Sequence, residues 1–309
     1  EQRYFFIWIN ILFFLTMNIQ AQDYTISLWD DYMPNFQEVG ESDILDNESE
    51  IESYQLITEP NISVYLPAKK NSTGQAVLII PGGGYNVVVH KWEGSDVAKW
   101  LNGNGITAIV LKYRLPHAKS NIIGYKSPLL DASRAMKIIR ANSDKWRIDK
   151  NNIGVMGFSA GGHLASTLGT HYDRDGSDFE DSISTISSRP DFMVLVYPVI
   201  TMSEEYVHEG SRYFLLGENQ TDELKHYYSN EKHVTPDTPP TFLIHSSDDE
   251  SVDVENSLSF YKALRAKSIN TAMHIFQHGE HGFSLANEQG SLESWKSLCI
   301  KWLRDYNRK

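Results

Sequence analysis

Three features of the chain predict an α/β protein with a mostly parallel central sheet and helices on both faces. Short apolar runs recur along it: Val77-Leu78-Ile79-Ile80, Ile106 to Leu111, Ile153-Gly154-Val155-Met156, Met193 to Tyr197, Thr241 to His245 and Ala272 to Phe276. Stretches of helical spacing alternate with them, at Trp92 to Leu101, Pro128 to Asn142, His163 to Leu168 and Val254 to Lys267. Continuous apolar runs suit strands buried on both faces, and strand-helix alternation is how parallel strands are joined. Thirdly, glycine-, serine-, aspartate- and histidine-bearing turns stand directly after these strands, where open α/β sheets gather ligands and catalytic groups.

The remaining elements follow in order. Tyr24 to Trp29 and Ile62 to Leu66 read as early strands, and the acidic, weakly periodic stretch Asp31 to Ser53 as a surface excursion between them. Pro128 to Asn142 is the clearest helix. It opens on a proline in its first turn, where the missing N–H costs nothing, and is apolar at Leu129, Leu130, Met136, Ile138 and Ile139. Thr170 to Thr235 is the least regular portion. Its acidic residues Asp173, Asp175, Asp178, Glu180 and Asp181 lack the spacing of a calcium loop and read as a solvated loop. Tyr206, His208, Tyr213, Tyr227 and Tyr228 either line a pocket or pack under a long connection. Leu292, Trp295, Leu298 and Trp302 recur at helical spacing around Cys299, the single cysteine, which is expected to be a buried core thiol.

Composition bounds the partners. The chain has 309 residues, 41% hydrophobic, enough to bury a sizeable core in one domain. A formal charge of −12 disfavours nucleic acid and anionic membrane surfaces. A single cysteine rules out an intrachain disulfide and a cysteine-based metal cluster.

The chemistry begins at Gly157-Phe158-Ser159-Ala160-Gly161-Gly162, set between an apolar run and a helical one. A G-x-S-x-G sequence in that context is a nucleophile elbow. The serine stands on a sharp turn, the small neighbours let the chain pass, and the following helix aims free N–H groups at developing negative charge. Taken alone, the motif could also be a glycine-rich turn that happens to hold a serine. Upstream, Pro81-Gly82-Gly83-Gly84-Tyr85 follows a strand. It offers backbone N–H groups, at Gly83 or Gly84, to pair with that of Ala160 as an oxyanion hole. No Lys-Ser or Lys-Thr follows, which argues against a phosphate-binding loop. Downstream, Asp248 and Asp249 sit in the loop after Thr241 to His245, and Gln277-His278-Gly279-Glu280-His281-Gly282-Phe283 follows the next strand. Either aspartate could orient a histidine. His281 is preferred to His278 because a glycine and an aromatic follow it, and His274 reads as a packed strand residue. Ser, then Asp, then His, each after a strand, is the chain order of the α/β-hydrolase fold.

From about Ile26 onward the chain resembles the α/β-hydrolase carbohydrate esterases encoded beside bacterial xylan-degrading genes, which include acetyl xylan and feruloyl esterases. The matching stretches are Leu28-Trp29 with Met33-Pro34-Asn35, Pro81 to Tyr85, Gly157 to Gly162, Leu215-Leu216-Gly217-Glu218, Tyr228-Ser229-Asn230-Glu231, Thr235 to Pro240, His245 to Val252 and His278 to Phe283. The resemblance implies that Asp249, three residues before Val252, is the acid, although Asp253 replaces the usual proline after that valine. It implies a Ser159-His281-Asp249 serine esterase acting on an acylated plant polysaccharide or oligosaccharide, most directly an acetylated xylan, with no metal or organic cofactor. Residues 1–21 read as a signal peptide: Arg3, an apolar stretch from Tyr4 to Met17 and a small residue, Ala21, at the cleavage point. The apolar stretch is shorter than the roughly 20 residues that span a membrane. A secreted or periplasmic catalytic domain over 22–309, with no stable membrane association, is therefore expected.

Overall fold

A computed structural model of the chain describes residues 23–30, 32–173, 180–218 and 220–306; the segment expected to be a signal peptide lies outside them. Its strands are β1 (Tyr24–Ser27), β2 (Ile44–Asp46), β3 (Ser53–Leu56), β4 (Asn61–Tyr65), β5 (Ala76–Ile80), β6 (Thr107–Lys112), β7 (Ile153–Phe158), β8 (Met193–Val196), β9 (Thr241–Ser246) and β10 (Thr271–Phe276). Its α-helices are α1 (Asp96–Gly103), α2 (Ser127–Ala141), α3 (Ser143–Trp146), α4 (Ala160–His171), α5 (Glu209–Leu216), α6 (Asp222–Tyr227), α7 (Glu255–Ala266) and α8 (Trp295–Asp305).

One 8-stranded sheet runs in the order β1-β4-β6-β5-β7-β8-β9-β10. The β1–β4 and β4–β6 pairs are antiparallel, and every pair from β6 to β10 is parallel. This is the predicted α/β-hydrolase architecture. The strands are apolar throughout because both faces are covered. Leu78, Ile80, Val155, Leu195 and Leu243 point into a core shared with α2, α4 and α7. Their neighbours Val77, Ile79, Met156, Val194 and Phe242 point into a second core with α1 and α8, as the period of two requires. Cys299 is buried in that second core, as expected, and burial pushes its thiol pKa up.

Two sequence readings change in detail. The Asp31 to Ser53 excursion is not wholly irregular, since β2 pairs with β3 in a separate two-stranded sheet. Ile44 and Leu45 are exposed, so no apolar periodicity marks the pair. Asp43 ties it down by accepting from the Thr58 and Glu59 N–H groups and pairing with Lys112. The helix read from Trp92 begins as a π-helical turn, Lys91–Ser95, that continues into α1.

The segment carrying Leu28, Trp29 and Pro34 is bound to the body through a buried charge cluster. Arg114 and Asp131 are both fully buried; Arg114 donates to Asp131 through Nε (3.0 Å) and Nη2 (2.8 Å), and Trp29 Nε1–H donates to the same carboxylate (2.8 Å). Arg114 Nη1 reaches the Pro34 carbonyl at 2.9 Å. Asp131→Ala would leave a buried guanidinium without its counter-charge, so we expect a loss of about 3–5 kcal/mol in a urea titration. A loss below about 1 kcal/mol, the scale of an exposed pair, would show that the cluster is not electrostatically essential.

Candidate active site

The site forms where strand order reverses. After β5 the chain crosses to β6 on one side and returns to β7 on the other, so the loops after β5 and β7 diverge and leave a crevice at the strands' carboxyl ends. The glycine loop follows β5 and the Gly157–Gly162 motif follows β7. The loops after β9 and β10 open on the same edge because these strands are parallel too.

Ser159 occupies the turn between β7 and α4 with φ 51° and ψ −121°, a conformation that non-glycine residues rarely adopt. Its backbone is held by Ser159 N–H donating to Val196 O and by His163 and Val199 N–H donating to Ser159 O. Close packing explains the flanking glycines. A Cβ on Gly157 would lie 2.3 Å from Gly161 O, and one on Gly161 would lie 2.1 Å from Ile80 O. The motif's small residues therefore let the elbow sit against β5.

The structure brings Ser159, His281 and Asp249 together. His281 Nε2 lies 2.8 Å from Ser159 Oγ, and His281 Nδ1 lies 2.7 Å from Asp249 Oδ2. A carboxylate accepts, so Nδ1 carries the imidazole proton and Nε2 is free to accept from the serine hydroxyl. Asp249 Oδ1 takes the N–H groups of Ser251 (3.0 Å) and Val252 (2.8 Å). Burial works against ionisation of Asp249, but hydrogen bonds from His245 and His281 outweigh it and hold the carboxyl well below the usual carboxylate range. Asp253, which stands where the resembled family usually has a proline, accepts the Glu255 N–H at 2.8 Å just before α7.

The alternatives separate cleanly. Asp248 accepts from Glu280 N–H (2.9 Å) and contacts the exposed His278 (3.1 Å), pinning the histidine loop from outside. His274 packs against Phe242 in the sheet. In the glycine loop, Gly82 N–H is taken by Glu93, whereas Gly83, Gly84 and Ala160 N–H groups donate to no acceptor among the described residues. Gly83 and Gly84 have φ of 124° and 66°, and a Cβ on Gly83 would lie 2.3 Å from Val87 O. The arrangement can therefore deprotonate a serine hydroxyl, stabilise the imidazolium formed, and offer unpaired backbone donors nearby.

The aromatics of the irregular region divide, Tyr228 packing in the interior and Tyr213 standing half exposed. Tyr228 is buried against Tyr125 and His163, and Asn230 donates to His163 O, Ser166 Oγ and Thr167 Oγ1 of α4. His208 caps α5 by accepting from Ser211 N–H. Asp181 pairs with Arg134, while residues 174–179 of the acidic run lie outside the described ones. No group of metal-ligating side chains occurs among the described residues. A cavity of about 360 Å³ lined by Tyr54, Tyr65, His90 and Lys112 lies beside the antiparallel edge of the sheet and includes none of the three residues above.

Several residues at the site escaped the sequence reading. His245 Nε2 lies between Asp249 Oδ2 (3.2 Å) and Val252 O (2.9 Å), both acceptors, so it donates there while Nδ1 faces Ser257 Oγ. A histidine directly after the apolar run Phe242-Leu243-Ile244 was the available signal. Glu93 falls on the same helical stripe as Val97 and Leu101, and a carboxylate on an apolar face was the signal there. His163, one turn beyond Ser159, links α4 to the glycine loop: Tyr85 Oη donates to Nδ1 at 2.7 Å, and Nε2–H donates to Tyr228 O at 2.8 Å.

Burial lowers the His163 pKa to about 4 against the Tyr228 bond. An unfolded histidine titrates near about 6.5. Between those values the unfolded chain binds the extra proton, so stability falls as pH drops from about 6.5 to about 4, by up to roughly 3 kcal/mol from this group. We expect His163→Gln to unfold with a flatter pH dependence across that window; an unchanged slope in urea titrations would remove His163 as the source.

Comparison with known proteins places the chain in a family. The BD-FAE family model matches residues 62–264. The chain is 41% identical over 230 residues to endo-1,4-beta-xylanase B of Butyrivibrio fibrisolvens, covering 74% of this chain and 35% of that protein. It is 35% identical over 223 residues to the acetylxylan esterase of Xylanibacter ruminicola, covering 71% and 42% respectively. It thus spans less than half the length of these two curated relatives. The crystal structure of an acetyl ester-xyloside bifunctional hydrolase from Caldicellulosiruptor lactoaceticus superposes with a TM-score of 0.78 at 38% identity, covering 94% of this chain and 98% of that one. With the sheet order, the elbow and the family match in agreement, the chain belongs to the BD-FAE family of α/β hydrolases.

Proposed function

We propose that the chain is an exported serine esterase that removes acetyl groups from xylan or xylo-oligosaccharides. The observation that carries the reading is the hydrogen-bond relay from Ser159 through His281 to Asp249. His281 Nε2 takes the hydroxyl proton as Ser159 Oγ attacks the ester carbonyl, and Asp249 fixes the imidazole tautomer and stabilises the imidazolium. The N–H groups of Ala160 and of Gly83 or Gly84 receive the oxyanion. His281 then protonates the departing sugar hydroxyl, and a water activated by the same imidazole cleaves the acyl-enzyme to acetate and free serine. Every proton step uses side chains of this chain, and none calls for a metal or organic cofactor.

Acetyl is favoured because the Xylanibacter relative is named an acetylxylan esterase and the superposed structure an acetyl ester hydrolase. Parallel release assays on acetylated xylan and a feruloylated arabinoxylan fragment test this directly. Acetate release without ferulate is expected; ferulate release alone would reassign the acyl group. The reading also takes residues 1–21 as an export signal, so N-terminal sequencing of protein from the culture medium or periplasm should begin at Gln22. Recovery with Tyr4 to Met17 still attached would overturn it.

A further inference from the structure

Glu93 is a carboxylate only 5% exposed, placed by a π-helical turn, and it has no part in the proton relay described above. Such turns are uncommon and concentrate at functional sites. The two oxygens of Glu93 face two different loops. Oε2 accepts the Gly82 N–H at 2.7 Å, at the base of the glycine loop, and Oε1 accepts the Tyr197 hydroxyl at 2.7 Å. Tyr197 Oη in turn accepts the Ser284 N–H at 3.0 Å, three residues beyond His281. The Tyr197 ring stands edge-on to the His281 ring at 4.8 Å and to Phe283 at 4.5 Å. Tyr197 is fully buried and held at φ 38°, a strained value for a non-glycine residue.

The neighbouring residue of the same turn repeats the connection. Trp92 Nε1–H donates to Gly282 O at 2.9 Å, and Ser284 Oγ–H donates to Trp92 O at 2.6 Å. One turn of helix therefore grips the glycine loop after β5 and the histidine loop after β10, elements at separate places in the sheet. The fit is close on the other side as well, since a Cβ on Gly82 would lie 2.6 Å from Phe158 O and 2.9 Å from Ser159 Cβ. Burial raises the Glu93 pKa, while its bonds to Tyr197 and Gly82 favour the carboxylate.

We infer that Glu93, acting through Gly82 and Tyr197, is a positioning residue that holds the oxyanion-binding loop and the His281 loop in register with Ser159. It touches no substrate. Its effect is on the relative placement of donor and base, where a displacement of about 1 Å can cost on the order of a hundredfold in rate. Its catalytic consequence rests on the Ser159 esterase reading, whereas the clasp itself stands on the Glu93–Gly82, Glu93–Tyr197 and Tyr197–Ser284 hydrogen bonds.

Glu93→Gln and Tyr197→Phe test it, assayed on p-nitrophenyl acetate with active sites titrated by a p-nitrophenyl phosphate triester. Gln keeps the shape but turns one of two acceptors into a donor; Phe keeps the ring against His281 and loses both hydroxyl bonds. Each is expected to lower kcat per titrated site roughly ten- to hundredfold, with KM within about threefold. The Gly82 amide proton should shift upfield in Glu93→Gln and the Ser284 amide proton in Tyr197→Phe. A purely structural role would lower the melting temperature and the number of titratable sites while leaving kcat per site unchanged, and that outcome overturns the inference. Unmoved amide signals overturn it too. Should Glu93→Gln not fold, Tyr197→Phe decides alone. Retained hydrolysis in Ser159→Ala would instead defeat the esterase reading, and the amide signals, which need no substrate, distinguish the two failures.

Discussion

Ser159→Ala is expected to lower kcat on acetylated xylo-oligosaccharide by about 10⁴- to 10⁶-fold while leaving the fold intact. The size follows from the chemistry. Without Oγ there is no acyl-enzyme, and the remaining backbone donors and His281 can only assist attack by water. The fold should survive because Ser159 is fixed by backbone bonds to Val196, His163 and Val199 that alanine retains. Among the described residues its side chain contributes one hydrogen bond, to His281. The measurement is acetate release per hour set against the thermal unfolding curve. Activity within tenfold of wild type would remove Ser159 as nucleophile and with it the proposed mechanism.

Asp249→Asn is expected to have the next largest effect, a fall in kcat of about 10⁴-fold, by losing the charge that supports the imidazolium and fixes the tautomer. The environment sharpens this prediction. Asp249 accepts from His281, His245, Ser251 and Val252, so the site is built for an acceptor-only group. An asparagine must turn its NH₂ toward two of those donors or rotate away. Turned toward His281, the NH₂ drives the imidazole proton onto Nε2, where the ring can no longer accept from Ser159; turned the other way, it opposes the Ser251 and Val252 N–H groups that hold the side chain in place. Asp248→Asn makes the contrast, because Asp248 holds the loop through Glu280 N–H and contacts an exposed histidine. It should lower kcat no more than about tenfold, as expected of a surface contact. A larger loss in Asp248→Asn than in Asp249→Asn would exchange their roles, and equal losses would remove the distinction.

How much of this was legible before folding differs from element to element. The parallel strands were readable because burial on both faces leaves unbroken apolar runs, as in Val77 to Ile80 and Thr241 to Ile244. Helix α2 was readable from its opening proline and its apolar stripe. The β2–β3 pair was not, because Ile44 and Leu45 are exposed and its stability comes from Asp43 reaching Thr58, Glu59 and Lys112. The aromatics between Thr170 and Thr235 could be counted but not assigned, since whether a tyrosine lines a cleft or packs depends on what stands opposite it. Tyr228 turned out to face Tyr125 and His163.

The sequence by itself determined the fold class, the chemical types at the site and their order along the chain, because each is written in local terms: period, turn chemistry and the small residues an elbow demands. The residues alone favoured His281 over His278 and left Asp248 and Asp249 open, the resemblance choosing Asp249; that these side chains meet Ser159 in one relay, and that Glu93 and Tyr197 join two distant loops behind them, were decided only by the tertiary structure. Adjacent residues such as Asp248 and Asp249 have the same composition and differ in the direction they face. Local bonds from Ser251 and Val252 help to hold Asp249, but the groups the two carboxylates face, His281 for Asp249 and the Glu280 N–H for Asp248, come from the loop after β10, brought alongside by its pairing with β9.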